Sequence, residues 1–438
     1  MSKKLTLLAK SALAIPGMIA TAQAAGPAGS EASYRYTYYT EDDSPEARDD
    51  SGGAQDRYKI QVHQFHILTP VTDKFAVNVE ASYESMSGAS PVYSYIADGQ
   101  EDVYTHFNGA SRERRYDVSA NGRYYGSTSD AGAGVYASME RDYFALNGSL
   151  DGSIQINDQM TTLSGGVSAG HDWLNPNSGV VSDSGDVLMV NDLSSEELEQ
   201  LAADAPARHA AKGKTKWQLS VFEGVGQIID MNTVVQGSVS FTYKTGYLSD
   251  PYRDCVGSDA PLADNVPCDI RPSTRAAGTL SLGVRRYLPT LNAAVHGDYR
   301  LFVDNWDVMS HTLDLDYYQN WAPNWNFFVN NDVNFQLVPG VRYYQQSQAY
   351  FYEIPDLNTT TGSAYSADTT RYYSSDPRLS HYGAISLKTR LKIDFRQFSL
   401  NGSVERYAAN PAYGFNFDDD TPGLPAYWRF TTGLDFRF

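Results

Sequence analysis

Sixteen segments of the chain alternate between apolar and polar residues, and this repeated period of two most constrains the fold. In an extended strand a period of two places apolar side chains on one face and polar side chains on the other. Most segments exceed the about five or six residues usual in soluble sheets, and several reach the roughly 9–11 residues that cross a bilayer with tilt. The predicted strands cover residues 32–40, 57–69, 74–86, 112–125, 131–141, 143–156, 161–174, 215–230, 233–247, 275–287, 292–304, 309–320, 325–338, 380–393, 397–408 and 426–438.

The links between these strands alternate in length. Seven are tight turns, such as residues 70–73 and 322–324, whereas most of the other eight are long. The long links cover residues 41–56, 87–111, 175–214, 248–274, 339–379 and 409–425, and the two short ones on that side lie near Arg141 and Asn305. Transmembrane barrels have an even number of strands, short periplasmic turns and longer outer loops. The sequence therefore predicts an all-β fold, a transmembrane antiparallel up-and-down β-barrel of about 16 strands with both termini in the periplasm.

The last strand illustrates the apolar face, although one strand alone does not decide what that face contacts. Its apolar positions include Trp428, Phe430, Leu434, Phe436 and the final Phe438. A soluble sandwich would bury such a face, whereas a barrel in lipid turns it outward and keeps charges inside. Composition does not separate these alternatives, but export, strand length and the alternating links favour the barrel. Tyr and Trp at the strand ends are typical of aromatic girdles at the membrane surface.

A targeting segment precedes the first strand. Residues 1–24 contain early lysines, an apolar stretch and an Ala-Gln-Ala site, which is the order of a secretory signal peptide. A membrane anchor is the weaker alternative because Lys10 and Pro16 interrupt a segment already short for a span. Residues 25–438 then form one barrel domain, located in the outer membrane of a Gram-negative bacterium. Cleavage changes the formal charge of −18 to about −21, which argues against nucleic acid as a partner.

The long links carry further features. The 175–214 link contains a Ser-x-x-Glu cap followed by helix-favouring residues, which predicts a short helix above the barrel or folded into it. Cys255 and Cys268 lie in one link of an exported chain, and this favours a disulfide over a metal half-site. The acidic stretches at residues 41–56 and 417–420 suit divalent cations, but such runs are more often simply solvated. We predict no metal site and no cofactor.

Two sequence patterns resemble catalytic or metal-binding motifs, but neither has the structural context that the chemistry needs. Gly166–Gly170 matches the Gly-x-Ser-x-Gly pattern of serine hydrolases, but Ser168 lies within a strand rather than at a strand-to-helix turn. His63 and His66 are three residues apart, so they point to opposite faces of a strand and cannot share a metal. We therefore predict no catalytic residues and no enzyme activity. Glu223 falls on the apolar face of its strand, which predicts a β-bulge near Phe222 or a different register.

The predicted barrel interior carries the most informative charges. One strand presents Lys388, Arg390 and Lys392, and nearby strands present Asp298, Asp314 and Asp316. A basic ladder near acidic stripes across a water-filled lumen would orient polar solutes and set selectivity. Alternatively, these charges pair with each other and plug the barrel. The sequence leaves both alternatives open.

From about residue 32 to the end, the chain resembles an uncharacterised family of Gram-negative outer-membrane proteins, domain of unknown function 3570. The resemblance rests on Ser87–Pro91, Met139–Leu150, Gly246–Arg253, Arg271–Arg275, Asp298–Thr312 and Arg342–Tyr352, which occur in this order. It implies an exported outer-membrane barrel and no established activity. The stretch before Arg342 is long, so we expect the strand after Trp325 to be interrupted at Pro339 and Gly340.

Most of these stretches gather at the outer mouth of the predicted barrel. The residues expected to line one arc of its rim are Asp250, Arg253, Arg271, Arg275, Asp304, Trp306, His311, Arg342, Tyr343 and Arg378. Arginines with aromatic residues suit carboxylate, phosphate or sugar ligands. The alternative is that these groups hold the extracellular loops together by salt bridges and hydrogen bonds.

Two functions follow from these features. About sixteen strands usually leave an aqueous lumen, so the leading hypothesis is a passive channel or selective transporter for small hydrophilic solutes. The alternative is a closed structural or scaffold barrel whose outer rim binds a partner, lipopolysaccharide or a ligand. The expected partners are outer-membrane lipid, lipopolysaccharide, a small polar solute and the barrel-assembly machinery, whose recognition signal the last strand resembles.

Overall fold

In a computed structural model of the chain, the described residues are 26–43, 57–88, 90–96, 99, 101, 103–108, 113–176, 211–253, 269–322, 333–354, 371–414, 421 and 423–438. The predicted signal peptide, the predicted Cys255–Cys268 disulfide and nearly all of the predicted helix lie outside these residues. So do most residues of the two acidic stretches.

Eighteen strands form within the described residues, and sixteen of them close into one antiparallel barrel in which each strand follows its neighbour around the ring. This confirms the predicted barrel and its strand number. The strands are β1 (Glu31–Glu41), β2 (Lys59–Thr72), β3 (Phe75–Ser87), β4 (Ser90–Ile96), β5 (Val103–Asn108), β6 (Glu113–Tyr125), β7 (Ser129–Met139), β8 (Tyr143–Ile156), β9 (Thr161–Leu174), β10 (Lys214–Asp230), β11 (Thr233–Gly246), β12 (Thr274–Leu288), β13 (Ala293–Asp304), β14 (Met309–Trp321), β15 (Asn334–Gln346), β16 (Tyr382–Asp394), β17 (Phe398–Asn410) and β18 (Ala426–Arg437).

The barrel closes between its first and last strands. β1 pairs with β18 from Glu31 opposite Arg437 to Glu41 opposite Tyr427, and Ser30 and Phe438 exchange two backbone hydrogen bonds beyond them. Both ends of the wall and the short turns lie at one end of the barrel, here called the turn end. The opposite end, here called the loop end, carries the longer links. Closure leaves no barrel strand with unpaired backbone groups along an edge.

The outer face of the barrel is apolar, as the period of two requires. Side chains such as Leu387, Val239 and Phe430 are 61%, 53% and 45% exposed and share one parity with their outward-facing strand neighbours. Most charged side chains of the strands occupy the other parity, toward the lumen. Such a surface is costly in water but matches hydrocarbon, and a closed barrel satisfies its own backbone groups there. Within the described residues no helix is long and apolar enough to cross a membrane.

The structure corrects two strand predictions. The strand predicted at residues 325–338 is instead β15, Asn334–Gln346, and it continues through Pro339 and Gly340 without a break. The link before it, residues 322–333, is therefore longer than the predicted tight turn at 322–324. Between β3 and β6, the predicted link contains a two-stranded hairpin, β4–β5, that stands outside the barrel sheet.

The predicted bulge near Phe222 is also wrong. The register of β10 with β11 runs without a shift from Lys216 to Ile228, and Glu223 lies opposite Gly165 on one side and Val239 on the other. The glutamate is exposed on the outer face between Val221 and Val225. Its outward position is thus a real feature of the barrel exterior.

Candidate functional site in the barrel lumen

The lumen wall formed by β12–β16 concentrates the charged residues predicted for the interior. Asp298 faces inward from β13, Asp314 and Asp316 from β14, and the three cations of the predicted ladder from β16. The antiparallel register places Asp314 directly opposite Arg342 of β15, and Gly340 of β15 directly opposite Lys388 of β16. These charges therefore come together on one patch of wall.

Gly340 makes the central ion pairs of this patch possible. Lys388 Nζ lies 2.9 Å from Asp316 Oδ1 and 3.3 Å from Asp314 Oδ1, although β15 separates the two strands that carry these residues. A Cβ at position 340 would lie 1.9 Å from Asp316 Oδ1 and 2.6 Å from Lys388 Cε. The glycine therefore leaves the space through which the lysine reaches across its neighbouring strand.

Most other charges on this wall also form pairs. Arg342 Nε donates to both oxygens of Asp314 at 2.8 and 3.0 Å, and Arg285 Nη2 donates to Asp298 Oδ1 at 2.7 Å. Lys392 Nζ lies 2.8 Å from Asp394. Arg300 and Arg390 differ, because neither forms a hydrogen bond or ion pair with another residue in the described part of the chain. The basic ladder is thus largely, but not completely, neutralised by its acidic neighbours.

The opposite wall of the lumen is acidic. Inward-facing residues of β12–β16 comprise seven cations and five carboxylates, a net charge of +2. The five strands on the opposite side of the sixteen-strand ring are β2, β3, β6, β7 and β8. Their inward-facing residues include two arginines and six carboxylates, a net charge of −4. These carboxylates are Glu80, Glu84, Glu113, Asp117, Asp130 and Asp151, and the arginines are Arg115 and Arg123. The two walls therefore impose an electric field across the lumen.

Three of the predicted rim residues converge on one buried carboxylate at the loop end, and a fourth, Asp250, binds one of the three. Asp376, which is 0% exposed, accepts hydrogen bonds from Arg253 Nη2 at 3.1 Å, Arg271 Nη2 at 3.0 Å and Arg378 Nε at 2.8 Å. Arg378 Nη2 also donates to Asp250 Oδ2 at 2.7 Å. Asp269 completes the cluster, because it accepts from Arg271 Nε at 2.9 Å and from the backbone N–H of Asp250 at 2.7 Å.

The electrostatics of this cluster are strongly coupled. Burial alone would raise the pKa of Asp376, but the surrounding Arg253, Arg378 and Arg271 hold it well below its usual value. The pKa of Asp250 is lowered mainly by Arg378, also against the effect of burial. Both carboxylates are therefore ionised at neutral pH. Three arginines and three aspartates balance, which is what a buried ionic cluster requires.

A second contact anchors the neighbouring link. Arg275 Nε donates to Asp304 Oδ2 at 2.6 Å, and its guanidinium stacks over the Trp306 ring at 4.4 Å. The indole of Trp306 is 3% exposed and donates to the carbonyl of Thr274 at 3.0 Å. Trp306 packs in an apolar cluster with Val308, Ala349, Phe351 and Leu379. Arg275 and Asp304, at the loop ends of β12 and β13, thus hold Trp306 and the link that follows β13.

The other three predicted rim residues lie within strands. Arg342 faces the lumen from β15, as described above. Tyr343, the next residue, points outward and donates its hydroxyl to the carbonyl of Tyr413 at 2.8 Å. His311 also points outward from β14, where its Nδ1 lies 2.7 Å from the Tyr299 hydroxyl. Arg342 and Tyr343 were expected at the rim because the predicted strand ended eight residues before β15 does.

The loop-end links meet at residues 375–377. Ser94 of the β4–β5 hairpin donates its N–H to Ser375 Oγ at 3.2 Å. A Cβ on Gly423 would lie within 3.6 Å of Pro377, Pro91 and Thr105, and Arg57 donates to the Gly423 carbonyl at 3.2 Å. Links from separate arcs of the barrel therefore pack on one segment. This cap, residues 375–377 with their contacts, extends over part of the loop end.

Several residues of these two sites were not predicted. Asp376 pairs with two arginines of another link, and Asp269 accepts from the backbone of Asp250, 19 residues away in its own link, so no local sequence pattern marks either carboxylate. Asp376 does precede a proline and caps the short 3-10 turn Pro377–Leu379, which is a local signal for a turn alone. Arg300 follows Asp298 on the inward parity of β13, so its position, though not its lack of a partner, was available from the period of two.

The residues with catalytic or metal-binding patterns stay apart. Ser168 lies in the middle of β9 opposite Ser149 and Ser220, and no strand-to-helix turn exposes it. His63 points outward and contacts Tyr34, whereas His66 takes the inward parity of β2. Among the described residues, no group of three or more histidine, cysteine, aspartate or glutamate side chains could hold a metal ion.

Comparison with known families places the chain. A family model described as protein of unknown function (DUF3570) matches residues 5–433. The chain belongs to this family. No curated protein matches the sequence. The apolar exterior and closed strand wall give this DUF3570 member the construction of an outer-membrane barrel.

Solved structures share the barrel class with this DUF3570 protein. A bacterial polysaccharide outer membrane secretin is 10% identical with a TM-score of 0.45, and the match covers 93% of this chain and 98% of that one. CdiB from Acinetobacter baumannii is 10% identical with a TM-score of 0.45, and the match covers 94% of this chain and 60% of that one. The CymD monoaromatic hydrocarbon channel is 11% identical with a TM-score of 0.38, and the match covers 94% of this chain and 88% of that one. None of these likenesses bears on function.

Proposed function

We propose that this barrel is a passive outer-membrane channel for small hydrophilic solutes. The observation that carries the proposal is the charged lumen wall, on which ionised side chains keep substantial contact with solvent. The side chain of Arg342, for example, is 46% exposed despite its ion pair with Asp314. That of Arg35, which faces the lumen from β1, is 55% exposed. A barrel of about sixteen strands usually encloses an aqueous channel rather than a core of side chains.

The charges would act on solutes as well as on water. The net charges of +2 and −4 on opposite walls would orient a polar solute across the lumen as it passes. Lys388, Arg390 and Lys392, with Asp298, Asp314 and Asp316, would set the balance between cations and anions. No energy source or cofactor enters this mechanism, because solutes move down their own gradients.

The proposal includes an orientation and partners. The turn end and both termini would lie in the periplasm, and the loop end would face outward among lipopolysaccharide molecules. The aromatic last strand would be recognised by the barrel-assembly machinery, and the apolar exterior would contact outer-membrane lipid. A solute would thus meet the cap before it meets the charged wall.

Single-channel conductance of the refolded protein in a planar bilayer tests the proposal. The key variant changes Lys388, Arg390 and Lys392 together to Gln. The matched control changes Arg286, Arg371 and Arg406 to Gln, which removes the same charge from the turn end, a loop and the outer face. We expect steady steps from the wild type, and selectivity that shifts toward cations in the lumen variant but not in the control. The absence of steps from a folded barrel would refute the channel.

One observation favours a second function, a closed scaffold barrel with an outer binding rim. The cap joins links from several arcs of the loop end around Asp376, and the same links contain four of the ten predicted rim residues, Asp250, Arg253, Arg271 and Arg378. The two functions differ in what breaks when the cap is loosened. A scaffold would lose partner or lipopolysaccharide binding without ever conducting, whereas a channel would conduct more freely.

A further inference from the structure

One cation in the charged wall lacks a partner within the protein. Arg300 faces the lumen from β13, directly opposite Thr312 of β14, and is only partly exposed. It forms no hydrogen bond or ion pair with any residue in the described ranges. In the strand register, the inward pair next to Thr312 and Tyr344 is Asp314 with Arg342, so Arg342 lies one inward row from Arg300, two strands away.

The nearby carboxylate is already engaged. Asp314 receives two hydrogen bonds from Arg342 Nε and a third contact from Lys388 Nζ at 3.3 Å. Arg342 and Lys388 are thus matched by Asp314 and Asp316, and Arg300 adds a further positive charge. The next carboxylate along β13, Asp298, is held by Arg285 at 2.7 Å. The wall around Arg300 therefore carries positive charge that its own residues do not neutralise.

The geometry of Arg342 leaves donors available beside Arg300. Its Nε binds Asp314, its Nη groups form no hydrogen bond with the described residues, and nearly half of the side chain is exposed. Thr312, which lies opposite Arg300 on one side and Tyr344 on the other, adds a hydroxyl between the two strands. Two guanidinium groups and a hydroxyl thus border one lumen surface.

We propose that Arg300 and Arg342 form a subsite for an oxyanion, a carboxylate or phosphate group of the permeating solute. Guanidinium groups present paired N–H donors that match the oxygens of both groups. An anion there would offset the positive charge that Arg300 adds beside Arg342. The inference rests on the proposed function for solute access and deepens it by naming the solute class: small anions, or zwitterions with an anionic group.

Arg390 provides the matched comparison. It is the other lumen cation of this wall without a partner in the described residues, and its loss removes the same charge. Its register neighbours are Val338 of β15 and Ser403 of β17, and neither belongs to the pair of Arg342 with Asp314. A merely electrostatic effect of the wall would depend on both arginines equally, whereas a built subsite depends on Arg300.

Equilibrium binding in detergent tests the subsite without relying on conduction. The arginine Nε–H signals of the refolded, isotopically labelled barrel are followed by nuclear magnetic resonance during titration with inorganic phosphate and, separately, succinate. We expect saturable shifts of the Arg300 and Arg342 signals. Arg300→Gln should weaken binding by about tenfold as read from Arg342, Arg300→Lys by less, and Arg390→Gln by under about twofold.

The outcomes separate this inference from the proposed function. Saturation by phosphate alone or by succinate alone assigns the group that the subsite prefers. Shifts that never saturate, or equal weakening by Arg300→Gln and Arg390→Gln, overturn the subsite even when the barrel conducts. A barrel that binds saturably but gives no conductance steps refutes the channel and leaves the subsite in place.

Discussion

Asp376→Asn should release the cap while leaving the barrel wall intact. The change removes the charge that Arg253, Arg271 and Arg378 share and turns one acceptor oxygen into a donor facing a guanidinium. Breaking one partner of a buried ion pair costs about 3–5 kcal/mol because it leaves uncompensated charge in a poorly solvated site. At about 1.4 kcal/mol per factor of ten, the equilibrium for opening the cap should rise by roughly 10²- to 4 × 10³-fold.

Native-state hydrogen exchange measures this opening directly. The reporters are the amides of Ile270, Tyr373 and Ser374, whose hydrogen bonds join the links within the cap at 2.9, 2.8 and 3.0 Å. Their protection should fall by the stated factor in the variant, while amides in the middle of β13 and β14 keep theirs. The contrast locates the loss in the cap because the barrel strands exchange only through much larger opening.

Glu353→Gln is the matched control in the same link. Glu353 pairs with Arg371, but the two side chains are 35% and 57% exposed, so the pair should contribute under about 1 kcal/mol. Reporter protection should therefore change by less than about fivefold. Equal effects of the two substitutions, or no effect of Asp376→Asn, would refute the assignment of Asp376 as the hub of the cap.

Three further predictions concern the wall, its exterior and pH. Gly340→Ala should destabilise the barrel by about 1–3 kcal/mol in urea unfolding, because the new methyl group displaces Asp316 and Lys388, whereas Gly297→Ala, at an open outward site, should change it by under about 0.5 kcal/mol. Glu223→Leu should stabilise the barrel in lipid by about 1–2 kcal/mol, measured the same way, since a carboxylate is costly on the apolar face; no gain would place that face in contact with something polar. The lowered pKa values of the buried carboxylates Asp250 and Asp376 mean that their contribution is complete above about pH 4 and is lost as pH falls through the folded values. Cap protection, corrected for intrinsic exchange, should therefore be level from pH 7 to 5 and decline in more acidic buffer; a decline already at pH 6 would contradict this sign.

The sequence predicted the wall well because lipid on one side and water on the other force a strict alternation. β9, for example, was predicted at residues 161–174 and has those bounds. The prediction of β15 was wrong for a local reason. Pro339 and Gly340 resemble a turn, yet the glycine is required in mid-strand by Lys388 and Asp316 on the neighbouring strands, which no single-strand pattern contains.

The charged sites were predicted in part. Inward parity follows from the alternation, so Lys388 and Asp314 could be assigned to the lumen from sequence. Their pairing could not, because it depends on register across three strands. The Asp376 cluster was less accessible still. Its partner Arg253 lies 123 residues away in another link, and irregular links carry no periodicity that would bring two such residues together.

The pairing of β1 with β18 closes the barrel wall into a ring, although no covalent bond joins the ends of these two strands. Every other strand pairing in the wall joins strands that are consecutive or separated only by the β4–β5 hairpin, whereas Thr37 and Thr431 meet across 394 residues of chain. The first and last strands pair in the same antiparallel way as every other pair of neighbouring strands in the wall. A short linker from Phe438 to Ser30, with new ends opened in another turn, should yield the same barrel with its one distant pairing moved elsewhere. The order of synthesis and the order of strands around the ring are thus separable properties of this molecule.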